Sequence, residues 1–153
     1  MYTKILVPID GSPTSNRGLD EAIKLARLTG ATIKLLHVID LTAIAMAPET
    51  GGLLTTQMVQ LLTQGGQQIL ADAEGRVKSA GLGVESELIE SPAVRVCDQV
   101  VDEARRWRAE LIVIGTHGRC GVGRLMIGSN AEQIARLAPA PVLLVRATEG
   151  TAG

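Results

Sequence analysis

The sequence predicts an α/β domain built on an open parallel sheet, and three observations carry that reading. Five short runs rich in Val, Ile and Leu recur along the 153 residues: KILVPI (4–9), TIKLLHV (32–38), VESELIE (84–90), ELIVIG (110–115) and PVLLVR (141–146). Segments with helical spacing separate them, and strands that alternate with helices pair in parallel through right-handed crossovers. Four of the five runs are apolar almost throughout, as strands covered on both faces tend to be. The length suits one domain with one core, expected over residues 1–147, with a flexible tail at 148–153.

Each element has its own signal. The first helix starts at Ser12-Pro13, sets Leu19, Ala22, Ile23 and Ala26 on one face and stops at Gly30. The segment 40–57, DLTAIAMAPETGGLLTTQ, is long, apolar and nearly uncharged. Such a connection commonly serves as a lid, so a flap over a ligand is expected there. The second helix is expected from about Thr55 to Ala80, ending at Gly81, with Met58 and its neighbours in the core. Its Gly65-Gly66 pair predicts a weak or bent point. Glu85, Glu87 and Glu90 interrupt the third strand, which is how a sheet edge is protected from unwanted pairing. A third helix is expected to start at Ser91-Pro92, with Cys97, Val100, Val101, Ala104 and Trp107 along one face. The fourth runs from about Ser129 to Leu137. The fifth strand lacks edge protection. If it forms the other edge, and no loop or tail covers it, its backbone pairs with a second copy, which predicts a homodimer through residues 141–146.

Composition narrows the partners. Hydrophobic content is 46% and charged content 20%, ordinary for a soluble domain, but there is one Trp, one Tyr and no Phe. The core must therefore be aliphatic, and platforms for stacking single-stranded bases are missing. A net charge of −1 without a basic stripe argues against duplex nucleic acid and acidic membrane surfaces. Cys97 and Cys120 are far apart and show no metal spacing, consistent with a reducing compartment. The opening MYTKILVPID lacks the apolar segment of a signal peptide, and no stretch is long and apolar enough to span a membrane. A cytoplasmic protein is expected.

The stretch GTHGRCGVGRLMIGSN, from Gly115 to Asn130, places five glycines directly after the fourth strand and before a helix. Glycine costs conformational entropy, so the cluster needs a reason. Ligands of open parallel sheets bind beyond the carboxyl ends of the strands, where strand order reverses. Helix starts there present unpaired N–H groups and partial positive charge, and glycines let successive amides close around an oxygen anion such as phosphate. Two familiar phosphate motifs fail. GRLMIGSN has the glycine spacing of a Walker loop but Ser129 where lysine is required. GVGRLM lacks the third glycine of a dinucleotide fingerprint and follows the wrong strand.

The pattern Gly115-x2-Gly118-x9-Gly128-Ser129 does fit one family. With the opening KILVPIDGS, the LTGATIKLLHV and ELIVIGTHG segments and the closing APAPVLLVR, it resembles the ATP-binding branch of the universal stress proteins over nearly the whole chain. The resemblance implies a Rossmann-like sheet in the order 3-2-1-4-5, with the first and fourth strands adjacent. It implies an ATP site in which Asp10 holds the ribose hydroxyls and Val38 meets the adenine edge through its backbone. Gly115, His117, Gly118, Arg119, Gly128, Ser129 and Asn130 then surround the phosphates, Pro8 joins the pocket, and Mg2+ or Mn2+ accompanies the triphosphate. It also implies dimerisation through the last strand and a role as a nucleotide-dependent sensor or regulator in stress response that meets a further protein partner.

Plainer roles compete residue by residue. Asp10 can simply open a turn in DGSP. SNAE reads as a capping box, with Ser129 as N-cap and Glu132 reaching back. Arg124 reads as a solvated loop charge, His117 as a hydrogen-bonding loop residue, Cys97 as core and Cys120 as an inert thiol. His37 and His117 are remote in sequence and form no visible metal constellation. No catalytic residue is expected: hydrolysis needs a group to position water at the γ-phosphate, and Asp10 is assigned to the other end of the ligand. A slow ATPase is the alternative function. A phospho-acceptor domain is set aside, because Asp10 stands without an acidic neighbour and Arg146 ends the fifth strand in place of lysine.

Overall fold

Residues 4–8 alternate strictly in the direction of their side chains, and that alternation organises the molecule. The computed structural model describes residues 1–51, 53, 55–116 and 128–146. In strand β1 (Lys4–Pro8), Ile5 and Val7 face one helical layer while Leu6 faces the other, and all three are fully buried. The chain continues through α1 (Pro13–Thr29), β2 (Thr32–Asp40), α2 (Leu41–Ala45), a short 3-10 turn (Pro48–Thr50), α3 (Thr56–Ser79), β3 (Val84–Ser91), α4 (Val96–Trp107), β4 (Leu111–Thr116), α5 (Ser129–Leu137) and β5 (Val142–Arg146). The strands form one sheet in the order β3-β2-β1-β4-β5, and each neighbouring pair is parallel. Outward growth from β1 to β3 and the return to β4 put the reversal between β1 and β4.

Two aliphatic cores sandwich the sheet. On one face Ile5, Val7, Ile33, Leu35 and Val113 meet Leu19 and Ala22 of α1 and Leu70, Ala73 and Val77 of α3. On the other, Leu6, Leu36, Ile112 and Ile114 meet Cys97, Val100 and Ala104 of α4 and Ala131 and Ile134 of α5. The helix ends follow local chemistry. Ser12 caps α1 by accepting the Ser15 N–H, Pro13 occupies the first helical position, and Gly30 closes the end with a left-handed backbone (φ 73°).

Glycine also sets how closely α1 approaches the sheet. A Cβ on Gly18 would lie 2.8 Å from the Gly115 amide nitrogen, and one on Gly115 would drive into the Thr14 carbonyl. These two glycines let α1 lie flush on β4, so the β1–α1 turn comes beside the end of that strand.

The Gly65-Gly66 pair lies inside α3, a helix of 24 residues, and Gly66 is a close contact with His37 and Leu88. Three expectations change. Met58 is only half-buried, and the core residues of α3 begin at Gly66. Ser91-Pro92 does not start α4. The Ser91 hydroxyl donates to the Val94 carbonyl and accepts its N–H, a local turn that delays the helix to Val96. Residues 40–57 are not a structureless connection: α2 and the 3-10 turn lie within them, and Thr42 Oγ1 donates to the Pro92 carbonyl. Residues 148–153 lie outside the described part. Among the described residues, no helix is long and apolar enough to cross a membrane.

Candidate functional site

The carboxyl ends of β1, β2 and β4 open onto a cleft of about 300 Å3 at the reversal of strand order. That volume is at the small end of sites for small organic ligands. Parity brings residues there: Leu36 and Val38 of β2 point to the α4–α5 side, and Ile114 of β4 joins them. Val96, Val100 and Ile134 complete an apolar wall suited to a flat heterocycle.

Seven of the ten residues expected at a nucleotide site line this one cleft: Pro8, Asp10, Val38, Gly115, Gly128, Ser129 and Asn130. His117, Gly118 and Arg119 lie outside the described residues, as do Cys120 and Arg124. Asp10 and Asn130 are 120 positions apart in the chain, and the topology alone places them together. Gly115 lines the cleft and also has the structural duty toward Thr14 described above.

Asp10 does open a turn. Its Oδ1 accepts the Ser12 N–H at 2.8 Å, and its own N–H donates to Ser15 Oγ at 3.1 Å. Its side chain is exposed, and among the described residues Oδ2 has no recorded donor, so one carboxylate oxygen remains for a ligand hydroxyl. The turn role and the ligand role are thus compatible.

The expected capping box at SNAE is not formed. The N-cap of α5 is Gly128, which has no side chain, and Ser129 is the first helical residue. Glu132 does not reach back; its carboxylate is 3.7 Å from Arg136 one turn later. The first helical bond runs from the Glu132 N–H to the Gly128 carbonyl. The amides of Ser129, Asn130 and Ala131 therefore have no partner within the helix. Helix α1 differs, since Ser12 already caps it. The uncapped start of α5 carries the positive end of the helix dipole into the cleft, an arrangement that can receive an anion.

Sequence reasoning missed Ser12, Thr14 and Ser15, whose side chains or backbone also line the cleft, and Val96 and Val100. The first three share a signal, three hydroxyls within GSPTS beside Asp10. Val96 was hidden by the misplaced start of α4, and Val100 was read only as part of the apolar face of that helix. The expected flap contributes no residue to the cleft lining among the described residues. Its tether runs to Pro92 instead.

Among the described residues no group of three or more His, Cys, Asp or Glu stands together as a metal site. His37 is accounted for otherwise: its Nδ1 lies 2.8 Å from the Ile9 carbonyl.

Comparison with known proteins agrees with this fold. Universal stress protein MJ0531 of Methanocaldococcus jannaschii is 31% identical over 147 residues, covering 95% of this chain and 83% of that protein. Universal stress protein YxiE of Bacillus subtilis is 32% identical over 154 residues, covering 95% and 100%. A crystal structure of a universal stress protein from Burkholderia pseudomallei superposes with a TM-score of 0.76 at 31% identity, covering 95% of this chain and 97% of that one. Structures of lower identity share the fold. One from Archaeoglobus fulgidus, in complex with dAMP, gives 0.67 at 24%, covering 94% and 97%. One from Arabidopsis thaliana, with AMP bound, gives 0.68 at 17%, covering 99% and 96%. One in complex with cAMP gives 0.65 at 23%, covering 96% and 98%. The sequence model described as the universal stress protein family matches residues 1–146, so the chain that builds this cleft belongs to the universal stress protein family.

Proposed function

We propose that the cleft binds ATP and that the protein is a nucleotide-dependent sensor or regulator in stress response. The observation that carries this reading is the convergence of Asp10 and the uncapped start of α5 on one cleft with an apolar wall. That combination offers a carboxylate oxygen for a sugar hydroxyl, free amides for phosphate and a dry surface for a base. Family members solved with AMP, dAMP and cAMP support the adenine class. In this reading Asp10 holds the ribose, Val38 meets adenine through its backbone, and Pro8 packs beside it. Gly115, His117, Gly118, Arg119, Gly128, Ser129 and Asn130 surround the phosphates. The described residues supply no ligand cluster for a metal, so Mg2+ or Mn2+ fits as a companion of the triphosphate, held by phosphate oxygens. The molecule acts in the cytoplasm as a homodimer through β5, and the bound nucleotide changes how that dimer meets a protein partner.

The test is a melting scan with ATP and magnesium. A single-site ligand at about 100 times its Kd stabilises by about 2.7 kcal/mol. Gly118→Val and Gly128→Val are expected to abolish that gain while the fold survives. Normal ATP binding by both variants refutes the phosphate assignment. Single-turnover measurements with labelled ATP separate the sensor from a slow ATPase, since phosphate release faster than nucleotide dissociation marks the enzyme.

A further inference from the structure

We propose that His37, seated against Gly66 of α3, is a positioning residue that fixes the Asp10 turn from behind the sheet. The consequence for ligand rests on the nucleotide reading above; the positioning itself does not.

Consecutive residues of β2 serve opposite faces. Val38 lines the cleft, and His37 points away from it toward α3. The imidazole reaches the Ile9 carbonyl at 2.8 Å. A carbonyl only accepts, so Nδ1 carries the proton and donates. Ile9 is the residue immediately before Asp10, and its N–H is already held by the Leu36 carbonyl at 2.8 Å. Both polar groups of the Ile9 backbone are therefore anchored to β2, one by main chain and one by His37.

Helix α3 completes the support. A Cβ on Gly66 would lie 2.7 Å from His37 Cδ2 and 2.7 Å from Leu88 Cδ1, so glycine is what admits the ring here. Nearly one turn later Ile69 packs beneath Gly11, whose φ of +81° suits glycine and whose Cβ would sit 3.1 Å from the Ile69 side chain. The turn Ile9–Asp10–Gly11 thus rests on His37 and Ile69 on its inner side. On its outer side it is closed by the Asp10–Ser15 and Ser12–Asp10 bonds. A carboxylate that must meet a sugar hydroxyl within a few tenths of an ångström needs such support.

Hydrogen exchange on the ligand-free protein reads the positioning directly. His37→Phe keeps the ring but loses the donor. It is expected to speed exchange of the Asp10 and Ser12 amides about tenfold while the Leu6 amide is unchanged. His37→Asn, which retains an N–H donor, is expected to restore most of the protection. Gly66→Ala is a second route, because it leaves His37 in place and crowds it off Ile9; the same local rise is expected. Wild-type exchange at Asp10 and Ser12 in both His37→Phe and Gly66→Ala overturns the proposal.

The ligand arm compares ATP with 2′,3′-dideoxy-ATP. His37→Phe is expected to reduce the preference for ATP about tenfold, with no further loss when Asp10→Asn is added. Additive losses overturn the coupling between the two residues. Failure of wild-type protein to bind ATP sinks the nucleotide reading alone, since the exchange result still decides the positioning.

Discussion

Ser129 separates the two readings of the α5 start more sharply than any other side chain. As an N-cap, its loss would cost about 1 kcal/mol of stability. The structure gives the cap to Gly128 and leaves the Ser129 hydroxyl exposed at the cleft. Ser129→Ala is therefore expected to unfold within about 0.5 kcal/mol of wild type and to bind ATP about tenfold more weakly. Urea titration and calorimetry check the two halves.

A second residue-scale expectation concerns charge at the far end of the sheet. Lys34 is buried with its Nζ 2.5 Å from Glu103 and 2.9 Å from Glu87, and Arg106 bonds both carboxylates. Burial pushes the Lys34 ammonium down, but its bonds to Glu103 and Glu87 outweigh that, so it titrates above its usual 10.5. Burial likewise pushes Glu87 up, and bonds from Lys34 and Arg106 outweigh that, so it titrates below its usual 4.5. A depressed carboxylate contributes stability that is present above pH 4.5 and lost as pH falls through its folded value. Glu87→Gln is expected to flatten the acid limb of the stability profile below that pH. Denaturation midpoints between pH 2 and 6 provide the check, and an acid limb as steep as wild type places the responsible carboxylate elsewhere.

Elements, rather than single side chains, decide the shape of the cleft, and the α1–β4 contact is the tightest joint. A methyl on Gly115 collides with helix backbone, which has no rotamer to escape into. Gly115→Ala is expected to destabilise by about 3 kcal/mol or more. Gly75→Ala is the contrast: this glycine lies exposed within α3 with nothing within 4 Å of its absent Cβ. A gain of about 0.5–1 kcal/mol is expected there from helix propensity. Thermal unfolding of the two variants distinguishes packing from propensity.

The same scale shows what was legible beforehand. Strands and the first helix were readable because their signals are local: the unbroken apolar run Ile5, Leu6 and Val7, the Ser12-Pro13 start and the Gly30 stop. Two signals misled because local hydrogen bonding and chain entry override them. Ser91 satisfies a turn before it can start a helix. Ser129 has the right neighbours for a capping box, but the chain enters α5 one residue earlier. Site residues were readable only jointly. Asp10 alone is a turn former; its meaning came from the spaced glycines far along the chain, and nothing local marked Val96 or Val100 as cleft lining.

At the scale of the whole molecule, the two sheet edges are built differently. Strand β3 ends the sheet with Glu85 and Glu90 exposed and Glu87 drawn into the Lys34 network. A second copy pairing there would bring rows of carboxylates together, which is unfavourable. Strand β5, at the opposite edge, is VLLVR, with Leu143 38% exposed and Val142, Leu144 and Val145 only partly covered. Among the described residues no strand pairs with the outer side of β5, and an apolar edge of this kind is a template for pairing. A two-fold axis beside β5 would let the strand meet its own copy. The cleft opens at the ends of β1, β2 and β4, and β4 is bonded directly to β5 through Ile112–Thr116. Gly115, which lines the cleft, lies in register with Val145. A ligand held at the end of β4 would thus lie one strand away from the proposed interface. Wild-type protein is expected to sediment as a dimer. Leu143→Lys places a charge on the exposed edge without touching either core, and is expected to sediment as a folded monomer with unchanged helical circular dichroism. A wild-type monomer at 100 µM, or a Leu143→Lys variant that remains dimeric, moves the interface away from this edge.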